Sequence, residues 1–503
     1  MIDLSTPSGL MLALVPDAFV AAGAMLLMVV SAFVKDRPGS QRTVGVVAIF
    51  VCLGGLGLVA VNAVLQASAT PGPIAVDAFR WAVDAVVLLA TAGSIALSIE
   101  DGAREGAEIP EVHVMTLFAA VGMMLLVAAR DLMVLFLAIE LMSLSVYVLA
   151  GINRRSARSA ESALKYFLLG SFSTGFLLYG IALTYGATGS TSLSVIGLAT
   201  STGLQGREVL LYGGIAMLLI GFGFKVSAAP FHMWAPDVYE GAPTPVTAFM
   251  SAAVKAAAFA AFVRVWTEAF PSNASVWRGP VGALAVATMI VGSLIGLQQK
   301  NIKRMLAYSS IVHSGYIMVA VLAPTAVGRS ALLFYLVAYT IATLGAFAVV
   351  SAVSLPGERQ LKLADYAGLW RARPWMALAM GIFMLAMLGF PIFGGIGFLS
   401  KWYVLNAALA GPIKMPVIAT AIVLTSCISA GFYLYVITLM FMKEPPADAQ
   451  VVREGPWTRG VIAVAAVAIL ALGIASGPLV RWAEHGAPMA NTAAQVVEAT
   501  TGR

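Results

Sequence analysis

Four lysines stand in stretches that are otherwise Ala, Leu, Phe, Gly and Met: Lys165, Lys225, Lys255 and Lys401. The chain has ten lysines in all, and the other six fall in or beside polar turns. An ammonium near the middle of a bilayer costs at least roughly 2.5–3.5 kcal/mol. Four such costs in one chain point to use. Ionisable groups buried between helices are the material of a proton relay. Glu140 supplies a carboxylate of the same kind, in LMVLFLAIELMSLSVYVLAG. A lone ionised carboxylate is expensive there, so it is either protonated or paired with a cation. Burial disfavours the charged form of a lysine, and a nearby carboxylate favours it. A Glu–Lys pair that opens and closes is therefore a way to hold and release a proton. The alternative is a fixed ion pair that sets helix packing.

The lysines differ in setting. Lys225 precedes clustered Gly and Pro, and His232 comes seven residues later. Two helical turns would put both on one side of an unbroken helix. Lys255 lies in SAAVKAAAFAAFVRV, among alanines too small to shield it, and must face a polar interior. Lys165 lies about one turn inside its helix and could snorkel to the interface. Tyr308 and His313, with Asp17 and Asp84, are weaker candidates that read more simply as hydrogen-bonded structural residues. Cys52 and Cys427 lie in apolar runs with no metal spacing and read as small core residues. The methionine-rich stretches at Met123–Met124 and Met380, Met384, Met387 read as packing.

The elements that carry these residues are membrane helices. The 503-residue chain is 60% hydrophobic and 11% charged, with mean hydropathy +0.91. Soluble domains carry about 25% charge. The pI of about 9.3 does not indicate nucleic acid, because the basic residues form no stripe. No dinucleotide-binding glycine fingerprint and no cysteine cluster appears, so redox chemistry is expected in other subunits. The N-terminus lacks a basic region and reads as a poor signal peptide. A span needs about 20 apolar residues. Fourteen runs qualify: 10–34, 43–66, 78–99, 111–129, 132–151, 161–186, 208–241, 243–267, 279–298, 304–322, 329–352, 375–411, 415–442 and 459–479. Alternate loops hold 17 Lys/Arg on one side and 9 on the other, the four membrane lysines apart. By the positive-inside rule the richer side is cytoplasmic, so both termini face outward.

Two runs are too long for one straight helix, 208–241 and 375–411. Each has clustered Gly and Pro and one lysine, Lys225 or Lys401. Broken helices at corresponding places in two halves point to a transport site. Each is fourth in a block of five, helices 4–8 and 9–13, and an odd block repeated once must be inverted. The expected fold is all-α, about fourteen transmembrane helices with two inverted five-helix repeats and broken helices 7 and 12, interrupted near Ala229–Pro236 and Phe390–Gly397. The expected divisions are 1–109 (three helices), 110–270 and 271–445 (the two repeats, one half-channel each), and 446–503 (last helix and tail).

FHMWAPDVYEGAPTPVTAFMSAAVKAAAF from Phe231 closely resembles the most characteristic stretch of the antiporter-like subunits of respiratory complex I. QQKNIKRMLAYSSIVHSGYIM from Gln298, LLFYLVAYTIATLGAFAVV from Leu332 and DYAGLWRARPWMALAMGIFMLAMLGFPIFGGIGFLSKWYV from Asp365 resemble the same family. The match covers about residues 110–445. Within the family the chain is most similar to the N type of bacterial NADH–quinone oxidoreductase. Its helix 12 residue is a lysine where the M type has glutamate, and it lacks the L type's long lateral helix. GFPIFGGIGFLSKW departs from the more usual GIPP-type sequence, which bears on the shape of that break.

The resemblance implies proton translocation driven by NADH-to-quinone electron transfer in partner subunits. It makes Glu140 and Lys225 the helix 5–helix 7 pair, Lys255 the central helix 8 relay and Lys401 the helix 12 lysine. Lys165, His232, Tyr308 and His313 would be secondary residues of the path. It implies no cofactor or metal in this chain, with FMN, iron–sulfur clusters and quinone in partners, neighbouring K- and M-type subunits, and a bacterial inner membrane. The rival readings are a subunit of a multi-subunit Na⁺/H⁺ antiporter and a structural membrane scaffold.

Overall fold

A computed structural model describes residues 2–34, 37–65, 69–105, 108–323, 325–391, 395–410, 414–445 and 454–489. Among the described residues, thirteen helices are long and apolar enough to cross a membrane. Spans 1–6 are Val15–Val34, Ser40–Leu65, Ala78–Glu105, Glu111–Ala128, Leu132–Ala150 and Ala157–Thr188. Span 7 is Glu208–Lys225, followed by the half-helix Trp234–Gly241. Span 8 runs from Thr244 to Glu268 through a π-turn at Met250–Val254. Spans 9–11 are Ala274–Gly296, Ile302–Leu322 and Ala326–Val353. Span 12 is a pair of shorter helices, Pro374–Leu388 and Gly395–Ala410. Spans 13 and 14 are Pro416–Met442 and Pro456–Ile474. Short helices Pro7–Ala13, Leu193–Thr202, Leu369–Ala372 and Gly477–Gly486 flank or join the spans.

The helix starts obey local chemistry. Asp131 caps span 5 by accepting from the Met133 and Val134 amides, and Asn301 caps span 10 in the same way. Such caps satisfy amides that have no partner inside the helix. Spans 8 and 10 are wholly enclosed and span 11 nearly so, whereas spans 1, 2 and 14 present most of their surface outward. The buried lysines therefore sit on the innermost helices or face them.

Both breaks are present. In span 7 the helix ends at Lys225 and resumes at Trp234, so the interruption is 226–233, shifted three residues toward the N-terminus from the expected Ala229–Pro236. Ser227 takes a positive φ of 57° there. Pro236 falls in the first turn of the second half-helix, where proline is tolerated. In span 12 the first half ends at Leu388 with Gly389 at φ 82°. The expected break at 390–397 begins one residue earlier, and its residues 392–394 lie outside the described residues, as do Lys35, 446–453 and 490–503.

Candidate proton-transfer site

Lys225 is the last residue of its helix and is buried. Its ammonium donates to Ser143 Oγ at 2.7 Å. Ser143 is one turn beyond Glu140 on span 5, and its own hydroxyl donates to the Ile139 carbonyl. The expected Glu140–Lys225 contact is therefore not closed: Lys225 rests on the serine, and Glu140 Oε1 is buried with no hydrogen-bond partner among the described residues. The rings of Phe224 and Tyr147 lie 5.8 and 5.9 Å from the ammonium. The break beside it is closed by protein groups. Trp234 Nε1 donates to the Phe224 carbonyl at 3.0 Å, and the Ala229 amide donates to Thr288 Oγ1 at 2.8 Å.

Lys255 comes directly after the π-turn. A π-turn inserts one residue into the helical ladder and re-aims the side chains beyond it. The ammonium donates to the Ser310 carbonyl at 2.6 Å and also to Ser310 Oγ. Tyr339 donates to the same Oγ at 2.8 Å and lies 3.2 Å from Ser251 Oγ. The lysine thus turns away from its alanines toward hydroxyls of spans 10 and 11.

Lys401 reaches back across the second break. It donates to the freed Leu388 carbonyl at 2.8 Å and to Ser426 Oγ at 3.1 Å. A cation at a helix C-terminus is favoured by the helix dipole. Ser426 donates in turn to the Tyr316 hydroxyl at 3.1 Å. Gly397 permits this approach, since a Cβ there would lie 1.8 Å from the Ala386 carbonyl.

His313 stands between the Lys255 and Lys401 groups. Its ring lies 4.9 Å from Tyr339 and 5.8 Å from Tyr316, centre to centre. Its nitrogens meet the hydroxyls of Tyr335 at 2.6 Å and Tyr433 at 3.1 Å. Hydrogen bonds join Lys255 to Ser310 and Tyr339, and Lys401 to Ser426 and Tyr316; His313 lies between these two groups by ring contact with Tyr339 and Tyr316, its nitrogens being held by Tyr335 and Tyr433.

Other expected residues are placed elsewhere. Lys165 has a side chain 43% exposed, paired with Glu161 at 2.8 Å and Asp237 at 3.0 Å. It snorkels to a surface ion pair and does not join the buried run. His232 lies in the irregular segment after Lys225, so the two-turn spacing has no meaning there, and its Nδ1 has no partner among the described residues. Tyr308 is buried against Gly296, apart from the lysines' hydrogen bonds. Cys52 is buried as expected, but Cys427 is exposed on span 13.

Sequence reasoning misses the hydroxyl partners and a largely buried ionic cluster. Arg80 bonds Asp17 at 2.5 Å and Asp84 at 3.3 Å. Arg264 makes a two-bond contact with Asp77 at 2.8 and 2.9 Å and also holds Glu268, which bonds Arg130. By sequence alone Arg80 and Arg264 sit at the ends of their runs and count with the loop basics, and Asp17 and Asp84 are isolated. The spacing of Asp77, Arg80 and Asp84, and of Arg264 and Glu268, is the available signal. Lys303, a turn residue by sequence, is also buried, bonded to Glu358 at 2.5 Å and to the Ala242 carbonyl.

This many-span fold with interrupted helices and buried lysines defines a class: residues 129–429 match the family model for the transmembrane region of NADH:quinone oxidoreductase and Mrp antiporters. NADH-quinone oxidoreductase subunit N of Gemmatimonas aurantiaca is 46% identical, with 98% of this chain and 97% of that one covered. Its counterpart from Salinibacter ruber is 40% identical, with 94% and 96% covered. The chain belongs to the NADH-quinone oxidoreductase subunit N family. A chain of respiratory complex I from Thermus thermophilus superposes with TM-score 0.78 at 34% identity, over 93% of this chain and 98% of that one. A chain of the Mrp complex from Dietzia sp. has the same fold, with TM-score 0.80 at 20% identity over 94% and 97%.

Proposed function

We propose that this chain is a proton-translocating membrane subunit of an NADH–quinone oxidoreductase, and that Glu140, Lys225, Lys255 and Lys401 carry the proton. The observation that carries the reading is the two hydrogen-bonded groups, Lys255–Ser310–Tyr339 and Lys401–Ser426–Tyr316, with the buried His313 ring against both tyrosines between them. Apolar packing would be the cheaper filling for the middle of a membrane protein. On Ser143, Lys225 has a hydrogen bond but no direct ion pair with Glu140, which favours passing its proton on more than a closed pair would. On Glu140 it would have a counter-charge, which favours keeping it. Movement between the two is the switch, and Ser143 is its second resting place.

Redox chemistry belongs to partners in this reading: FMN, iron–sulfur clusters and quinone lie outside the chain. K- and M-type subunits are its neighbours, and the peripheral arm supplies the driving reaction. Spans 4–8 and 9–13 form two inverted repeats, each with one half-channel. The positive-inside bias supports a bacterial inner membrane with both termini on the non-cytoplasmic side.

The test is proton uptake by vesicles holding the purified complex, with NADH oxidation measured in parallel. Lys255→Ala is expected to lower protons moved per NADH. An unchanged ratio with intact assembly favours the structural scaffold. Proton movement without any redox partner favours a cation/proton antiporter.

A further inference from the structure

One groove on the outer face has the dimensions and charge of a lipid site. It runs between spans 9 and 13, encloses about 670 Å³ and is floored by Leu322 of span 10. On span 9 it is lined by Arg278, Gly282, Val286 and Ile290, each four residues after the last, so all four share one face. On span 13 it is lined by the first turn, including Ile418. Gly282 keeps it open: a Cβ there would lie 3.2 Å from Ile418 Cδ1 and 3.8 Å from Leu322 Cδ1. Ile290 and Val417 are exposed along it.

Its length is informative. Twelve residues of helix from Arg278 to Ile290 rise roughly 18 Å. Half the hydrocarbon thickness is about 15 Å. The groove therefore covers one leaflet. A partner helix crossing the membrane would need a seat of about twice that length; a single acyl chain needs one leaflet.

The charge sits at one end only. Arg278 is the one charged residue lining the groove. Arg80, Arg130, Arg264 and Arg304 each hold a carboxylate. Arg278 has none among the described residues, and its Nε is buried without a hydrogen-bond partner. The Trp277 ring lies 5.7 Å from its Cζ and fixes the guanidinium near the mouth. Lys414, beside the groove-lining Met415, is exposed at the same end. Arg278 is also close to the start of its helix, where the dipole favours an anion. A guanidinium matches a phosphate by paired hydrogen bonds.

We propose that this groove binds an anionic phospholipid, with one acyl chain lying along Gly282–Ile290 and the phosphate on Arg278. A zwitterionic lipid would fit the same apolar wall, but its own cation would offset the attraction of Arg278 and Lys414. The site is independent of whether the chain carries protons, since none of its residues belongs to the buried run.

The test uses the intact complex, purified in detergent and titrated with phosphatidylglycerol or phosphatidylcholine, with bound lipid counted by native mass spectrometry. Wild type is expected to retain one more phosphatidylglycerol than Arg278→Gln, whose affinity at this site falls on the order of tenfold. Arg278→Lys should recover part of the loss. Ala287→Phe, which fills the groove, should abolish the same binding event with Arg278 in place. Equal phosphatidylglycerol counts in wild type and Arg278→Gln would overturn the proposal. So would equal retention of the two lipids, or a neighbouring subunit's helix seated in the groove in a map of the complex.

Discussion

Lys225 donates to Ser143 Oγ at 2.7 Å, while Glu140, one turn earlier on the same helix, keeps a buried carboxylate oxygen without a partner among the described residues. One lysine thus has two acceptors on one helix face, and occupies the uncharged one. Ser143 cannot be read as a bystander, because its own proton is committed to the Ile139 carbonyl and its lone pair is left for the ammonium. A hydrogen bond to a charged group contributes about 1.5–3 kcal/mol. Removing it should shift Lys225 toward Glu140 by roughly tenfold or more. Ser143→Ala is therefore expected to lower protons moved per NADH, and Ser143→Thr, which keeps the hydroxyl, to restore the ratio. Pumping by Ser143→Ala equal to wild type would remove Ser143 from the switch.

The Arg264–Asp77 contact ties span 8, which carries Lys255, to the segment before span 3. Both side chains are buried, so taking away one partner leaves an uncompensated charge at a cost of roughly 3–5 kcal/mol. Asp77→Ala should reduce recovery of assembled complex and lower its inactivation temperature. Adding Arg264→Leu should return part of the loss, because Arg130 and Glu268 still satisfy each other at 2.9 Å. A double variant no better than the single one would mean that the charge is not what Asp77 compensates.

The four membrane lysines are legible because composition alone makes an ammonium anomalous in Ala–Leu–Phe sequence. The breaks are legible because Gly and Pro cluster in only the two longest runs. For Lys165 the sequence leaves snorkelling and a place on the path both open, because depth along a helix says nothing about which neighbour approaches; its partner Asp237 lies on the half-helix after the first break. The serines and tyrosines that hold the lysines are invisible for a related reason. Ser310 and Ser426 have no unusual neighbours in sequence, and membrane helices use such residues widely for packing. Their role exists only once spans 8, 10, 11, 12 and 13 are brought together. Arg80 and Arg264 are misassigned because hydropathy places them at span ends, whereas the fold encloses those ends.

Sidedness can be tested without touching the buried groups. With the richer basic loops inside, single cysteines at Arg42 or Arg155 in a Cys52- and Cys427-free background should react with an impermeant thiol reagent only after the membrane is opened. Cysteines placed at Gln205 and Lys414 should react in intact cells. Labelling of the Arg155→Cys variant from outside would reverse the topology and exchange the ends of the proposed path.

Lys225, Lys255 and Lys401 should behave as one serial wire, so that breaking it twice adds little to breaking it once. Lys255→Ala and the Lys225→Ala, Lys255→Ala double variant are expected to pump about equally poorly, with assembly verified by recovery of the whole complex. The chemistry of the replacement then separates a relay from a strut. Arg can keep a donor near Ser310 but holds its proton far above neutral pH, and should pump poorly. His titrates close to neutral pH and should retain more activity than Arg. A strut would give the opposite order, since Arg preserves the charge and the reach that span 8 presents to the Ser310 carbonyl and hydroxyl. Full pumping by Lys255→Arg, or independent and multiplying losses from the two alanine variants, would assign the lysines separate structural roles.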